Sequence, residues 1–161
     1  MMRAVVIVAS HRAAAGIYSD TSGPILADGL RELGFEVSEP VVVDDGEPVG
    51  TALAAAIASG ADVVVTSGGT GLSPTDRTPE VTAPLLDRPV PGLAEAIRAF
   101  GARNTPMSWL SRGLAGVAGR SLVVNLAGST GAARDGLTVL GPLLSHAVEQ
   151  VNGGDHVRES P

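Results

Sequence analysis

Between Ala61 and Glu80 the chain reads ADVVVTSGGTGLSPTDRTPE, its densest collection of groups able to handle a phosphate. Gly68, Gly69 and Gly71 surround Thr70, with Ser67 before them and Ser73, Asp76, Arg77 and Thr78 after. Amides exposed by glycine, together with hydroxyls, suit phosphate oxygens, above all where a strand hands over to a helix. Similar groups recur in three other short stretches. Ser10, Asp20, Thr21 and Ser22 follow one apolar run, Asp44 and Asp45 follow another, and Gly128, Ser129 and Thr130 follow a third. Paired carboxylates suit a hard divalent cation, usually Mg²⁺ shared with substrate phosphates. The mixture points to nucleotide or phosphoryl chemistry rather than to peptide or sugar hydrolysis.

Each group also has a plainer reading. GGTG is neither GxGxxG nor GxxxxGK[ST], so the dinucleotide and P-loop fingerprints are both missed. Its glycines serve a tight turn equally well. By themselves Asp44 and Asp45 read more readily as turn residues capping the next helix, and Asp76 reads also as the cap of a helix near Thr78. Glu95 reads as a solvated helix charge, Ser111 and Arg112 as a surface pair, and Trp109 as packing. His11, His146 and His156 are far apart and lack metal-ligand spacing, and GxSxG is absent, so a Ser/His/Asp nucleophile has little support.

Composition narrows the classes further. A chain of 161 residues has one-domain length. Aromatics are 2% of it, too few for a stacking platform, and the net charge of −6 with no basic run argues against nucleic acid. Absence of cysteine excludes thiol catalysis, thiolate zinc and disulfides. Lysine is also absent, so all 11 basic residues are arginine. The opening run MMRAVVIVAS is too short to span a membrane and reads as a first strand, which makes a soluble cytoplasmic protein the expectation.

The elements that must position these groups follow an α/β alternation. Arg3–Ala9 is a strand buried on both faces, and Ser10–Ser22 a loop. Gly23 and Pro24 open a helix carrying Ile25, Leu26, Leu30 and Leu33 that ends at Gly34. Phe35–Val43 is a second strand bent at Pro40, and Pro48 begins a helix that stops at Gly60. The Val63–Val65 strand leads to the glycine turn. A short helix over Pro79–Leu86, a break at Pro89–Gly92, a helix over Leu93–Gly101 and an irregular stretch over Asn104–Ser111 follow. Strands Leu114–Ala118 and Ser121–Leu126 then join through a tight turn. Helix from Ala132 to Val151 breaks near Gly141 and Pro142. The expectation is a three-layer α/β/α domain over residues 1–152 with a mostly parallel central sheet, then a flexible tail over 153–161. Ligands in such sheets sit beyond the strands' carboxyl ends, which collects all four polar stretches in one place.

Taken together the motifs resemble those of the Mog/MoaB-type molybdenum cofactor biosynthesis proteins, relatives of the gephyrin G domain. TSGGTGLSPTDRTPE resembles their molybdopterin-binding loop, and GIYSDTSGP (16–24) and VVVDD (41–45) their first two loops. PGLAEAIR (91–98), LSRGLAGV (110–117) and NLAGST (125–130) follow in family order. The resemblance implies a homotrimer, working with other molybdenum cofactor synthesis proteins, that transfers AMP from ATP to the terminal phosphate of molybdopterin with Mg²⁺ and releases pyrophosphate. It assigns Asp44 and Asp76 to the metal and to catalysis. It assigns Ser10, Asp20, Ser67, Gly68, Gly69, Thr70, Gly71, Glu95, Ser111, Arg112, Gly128, Ser129 and Thr130 to substrate binding. His11, where many members have Asp, and Ala127 and Thr130, in place of two prolines, depart from the pattern. They keep open a second reading, a non-catalytic molybdopterin-binding carrier of the same fold.

Overall fold

A computed structural model describes residues 1–154. Residues 155–161, most of the expected tail, lie outside them. Strand β1 (Arg3–Ala9) is followed by a short helix α1 (His11–Ala14) and by α2 (Ser22–Glu32). Next come β2 (Glu36–Val37), β3 (Val41–Val43), α3 (Glu47–Ala58) and β4 (Val63–Ser67). After the glycine turn come α4 (Thr78–Thr82), a 3₁₀ turn at Ala83–Leu85, β5 (Arg88–Pro89) and α5 (Pro91–Ala102). A 3₁₀ turn at Pro106–Leu110 leads to β6 (Ala115–Ala118) and β7 (Ser121–Leu126), then α6 (Thr130–Leu140) and α7 (Leu144–Val151).

The sheet is mostly parallel. Strands β1, β4 and β7 run parallel at its centre, with Val5 beside Val64 and Val64 beside Val123. Strands β6 and β5 extend it antiparallel beyond β7, and β2 and β3 both lie along the outer edge of β1.

Four details differ from expectation. The Phe35–Val43 strand is two strands: Arg3 pairs with Glu36 but Ile7 with Val41, so four steps along β1 face five along the edge. Pro40, with no amide to donate, sits at that slip. The Ser10–Ser22 loop contains α1, nucleated when the Ser10 hydroxyl accepts the Ala13 amide at 3.2 Å. The Pro89–Gly92 break holds half of β5, paired to β6. The irregular Asn104–Ser111 stretch contains the second 3₁₀ turn.

Strand alternation divides the core into two. Val6, Val8, Val63, Val65 and Val124 face one side, under Leu26, Leu30, Leu140, Leu144 and Val148 of α2, α6 and α7. Ile7, Val64 and Val123 face the other, under Val49, Leu53 and Ala56 of α3. With helices on both faces of the sheet, the fold is the three-layer α/β/α arrangement. Glycine sets how closely α6 approaches. A Cβ on Gly136 would lie 2.6 Å from Leu126 Cδ1 on β7.

Candidate functional site

The carboxyl ends of β1, β4 and β7 open into one cleft of about 1020 Å³. Its floor is the turn after β4. Gly68 and Gly69 have φ of 98° and 70°, left-handed values that disfavour side chains. A Cβ on Gly68 would strike the Ala9 carbonyl oxygen, and one on Gly69 the Thr78 hydroxyl. Thr78, fully buried at the start of α4, closes the turn: its hydroxyl donates to the Gly68 carbonyl at 2.9 Å and its amide to the Gly69 carbonyl at 3.0 Å. Gly128 presses on this turn from the loop after β7, where a Cβ would lie 3.2 Å from Gly68 Cα. Two glycine loops therefore meet backbone to backbone.

The Arg112 side chain holds the outer half of the turn. Its Nε donates to the Gly71 carbonyl at 2.9 Å, and the guanidinium also donates to the Asp76 carbonyl at 2.8 Å and to Glu80 at 2.6 Å. Its backbone amide donates to the Thr70 carbonyl at 2.8 Å, and the Ser111 hydroxyl to the Thr70 hydroxyl at 3.3 Å. The hydrogen bond from Arg112, and then its charge, holds the Glu80 carboxyl below its usual range.

Hydroxyls and helix starts form two walls. Asp20 accepts the Gly23 amide at 3.2 Å at the start of α2, and Ser67 donates to Ser22 at 2.9 Å. Ser129 caps α6 by accepting the Ala132 amide at 3.0 Å, leaving the first amides of that helix without helical partners beside the cleft. The remaining wall is α5 and the following turn, where Ala94, Ile97, Gly101, Met107 and Leu110 give an apolar surface. Arg98 also lines it while donating to the Ser111 and Gly113 carbonyls.

Two carboxylates lie at the fourth side, with a third, Asp44, beside them but not lining the cleft. Asp76 accepts the Ser73 amide at 3.0 Å, and a Cβ on Gly71 would lie 2.8 Å from its Oδ2. Asp45 reaches the same turn from the end of β3, where a Cβ on Gly69 would lie 3.5 Å from its Oδ1. Burial, then repulsion from Asp44 and Asp76, pushes the Asp45 carboxyl up. Asp44 faces His11 instead, whose Nδ1 lies 3.1 Å from both its oxygens, and this contact holds its carboxyl down.

Of the residues named from the sequence, Ser10, Asp20, Ser67, Gly68, Gly69, Thr70, Gly71, Asp76, Ser111, Gly128 and Ser129 line this one cleft. Asp44, Glu95, Arg112 and Thr130 do not line it. Glu95 is exposed on α5, Arg112 is spent on the turn, Asp44 is taken up by His11, and Thr130 begins α6. Asp45, one of the carboxylate pair read from the sequence, lines the cleft too, and Tyr18, Arg98, Asn125 and Asp135 line it without having been named as site residues. Helical spacing after the Ser129 cap marks Asp135: it follows Gly131 and Ala132, which also face the cleft, at three- and four-residue steps.

A divalent cation fits this chemistry. Asp45 and Asp76 approach one glycine turn, and the Asp45 carboxyl, raised by burial and then by repulsion from Asp44 and Asp76, carries a charge that a cation would offset. Among the described residues no group of three or more such side chains is arranged to hold a metal. Mg²⁺ is usually bound by one or two carboxylates and completed by substrate phosphates and water.

The fold and the cleft define a three-layer α/β/α protein with a polar cleft at two glycine turns beyond a mostly parallel sheet. Comparison with known proteins narrows the class. The family described as the probable molybdopterin binding domain matches residues 5–146, and the chain belongs to that family. It is 42% identical over 155 residues to the molybdenum cofactor biosynthesis bifunctional protein of Synechococcus elongatus, covering 95% of this chain and 48% of that protein. The chain thus spans about half the length of this relative. It is 33% identical to the molybdopterin adenylyltransferase of Helicobacter pylori, covering 92% of this chain and 86% of that one. The solved molybdopterin biosynthesis Mog protein from Mycobacterium ulcerans superposes with a TM-score of 0.90 at 52% identity, covering 94% of this chain and 99% of that chain.

Proposed function

We propose that the protein acts in molybdenum cofactor synthesis as a molybdopterin adenylyltransferase. An oxygen of molybdopterin's terminal phosphate attacks the α-phosphorus of ATP, the new P–O bond forms as the α–β bridge breaks, and pyrophosphate leaves. A phosphate monoester is already an anionic nucleophile, so the protein's task is positioning and charge neutralisation. The observation that carries this reading is the meeting of the Gly68–Gly71 turn with the start of α6 beside Asp76. The two sets of amides, with Thr70 and Ser129, receive phosphate oxygens. Asp76 and Asp45 would hold Mg²⁺, which would offset the charge gathered on the phosphates. Asp20 and Ser67 fix the α2 side of the cleft, and Arg112 keeps the turn in shape from behind. The same reading makes the chain a homotrimer and gives it other molybdenum cofactor synthesis proteins as partners. Light scattering at micromolar concentration tests the assembly, and a monomer there defeats it.

A second reading, a molybdopterin carrier without catalysis, is favoured by the engagement of Asp44, which does not line the cleft, with His11 at the cleft's edge. One experiment separates the two. Purified protein is mixed with molybdopterin, ATP and Mg²⁺, and adenylylated pterin and pyrophosphate are measured. Product formation supports the transferase. Tight binding without product selects the carrier.

A further inference from the structure

Every cleft carboxylate but one has work to do. Asp20 caps α2, Asp76 holds the Ser73 amide, and Asp45 adjoins the glycine turn with the His11 amide beside it holding its carboxyl down against burial. Asp135 lines the cleft half-buried, and among the described residues it makes no hydrogen bond or ion pair. Its position follows from α6. Ser129 caps that helix, and Gly131, Ala132 and Asp135 fall on its cleft-facing side, while Ala133, Gly136 and Leu140 are buried. At 1.5 Å per residue, Asp135 stands about 9 Å along the axis from Ser129. One helix therefore offers donors at its first turn and an uncommitted acceptor further along. A Cβ on Gly101 would lie 3.7 Å from Asp135 Oδ2, so the carboxylate abuts α5. There Ala94, Ile97, Gly101 and Met107 supply small or apolar surface.

This is the complement of a flat ligand with an anion at one end and N–H donors at the other. A 2-amino-4-oxopteridine has such donors: its exocyclic amino group and adjacent ring N–H form a two-donor edge that matches a carboxylate's two oxygens. We propose that Asp135 is the specificity-determining residue that accepts this edge, with the ligand's phosphate on the glycine turns and its rings against the α5 wall. The proposal rests on the molybdopterin reading above and names the part of the ligand that this residue recognises. A site built to accept two adjacent N–H groups disfavours an analogue that presents a carbonyl in place of one of them, because one carboxylate oxygen is then left facing an acceptor. Asp20 is the competing carboxylate, but both the Gly23 amide and the Ser22 hydroxyl donate to its Oδ1.

The test uses two fluorescent probes, 6-hydroxymethylpterin phosphate and the matching lumazine phosphate, in which oxygen replaces the 2-amino group. Affinities are titrated for the full chain, Asp135→Asn, Asp135→Glu and Asp20→Asn. The unaltered chain is expected to prefer the pterin roughly tenfold or more. Asp135→Asn should bring that preference close to one while lumazine affinity stays within about threefold, and Asp135→Glu should restore part of it. Asp20→Asn should leave the preference intact. A preference that survives in Asp135→Asn, or that disappears in Asp20→Asn, overturns the assignment while the molybdopterin reading stands. If the unaltered chain binds neither probe, both fall. In turnover assays the Asp135→Asn defect should appear in KM for molybdopterin with kcat little changed.

Discussion

At the residue scale the carboxylates divide by what holds them. Asp76 lies in the cleft at the glycine turn, whereas Asp44 does not line it and leans on His11, which does. Asp76→Asn is therefore expected to keep pterin binding within a few-fold and to lower adenylylation at least about 100-fold, the scale on which lost charge stabilisation acts. Wild-type turnover in that variant would refute its role. Asp44→Asn should cost far less, because its partner is a histidine rather than the substrate. Asp45 tests the cation directly. Its folded carboxyl is raised, so its ionised form at neutral pH costs stability, and that cost falls away as the pH drops through the folded pKa. Asp45→Asn is expected to raise Tm by about 2 °C without Mg²⁺ and to shrink the rise that Mg²⁺ gives the unaltered chain. Thermal melts with and without the ion check both signs. Asp44 and Asp45 were visible as a pair in VVVDD, but which of them enters the cleft was not. That choice depends on where β3 ends and where α1 places His11, a contact across 33 positions of sequence.

At the element scale the site is two glycine turns locked by the elements that follow them. The turn after β4 keeps its shape through Thr78 on the inside and Arg112 on the outside. Thr78→Val removes the hydroxyl bond to the Gly68 carbonyl in a fully buried place, and should cost about 1–3 kcal/mol in chemical denaturation. The outer lock has a pH sign. Glu80 is held below its usual value of 4.5 by Arg112, so its contribution is present above pH 4.5 and lost as the pH falls through the lower folded value. Proteolysis of the Leu72–Arg77 loop should therefore speed up in acid, and Arg112→Ala should abolish the acid dependence. Digestion rates equally pH-dependent in that variant would show that Glu80 is not the switch. The regular elements were largely legible, because valine runs between glycine and proline punctuation leave little choice of period. The division of Phe35–Val43 was not, since a one-residue register slip is decided by pairing with β1. Arg112 was likewise visible as a residue, but not as the brace of a turn 41 positions away.

At the scale of the whole molecule, the proposed pterin phosphate and the protein carry the same sign. The chain has a net charge of −6, and the cleft sets Asp20, Asp45, Asp76 and Asp135 against Arg12 and Arg98. Attraction for phosphate must then be short-ranged, from amides of the glycine turns and the first turn of α6, because a helix terminus acts only over about its last turn. At longer range an approaching anion meets net repulsion. Salt acts oppositely on the two. With a Debye length of about 10 Å at 0.1 M, added salt screens the distant charges while the bonds at the floor remain close and partly desolvated. Association of a pterin phosphate should therefore quicken as salt rises from about 10 to 150 mM, by roughly two- to fivefold, while dissociation changes little. Most anion sites behave in the reverse way, since their basic surfaces lose attraction on screening. Stopped-flow quenching of pterin fluorescence at several ionic strengths measures both rates. A slowing association rate would mean that Arg12 and Arg98 dominate the field at the cleft mouth. Arg12→Ala should then slow association strongly at low salt, whereas under net repulsion it slows it only modestly.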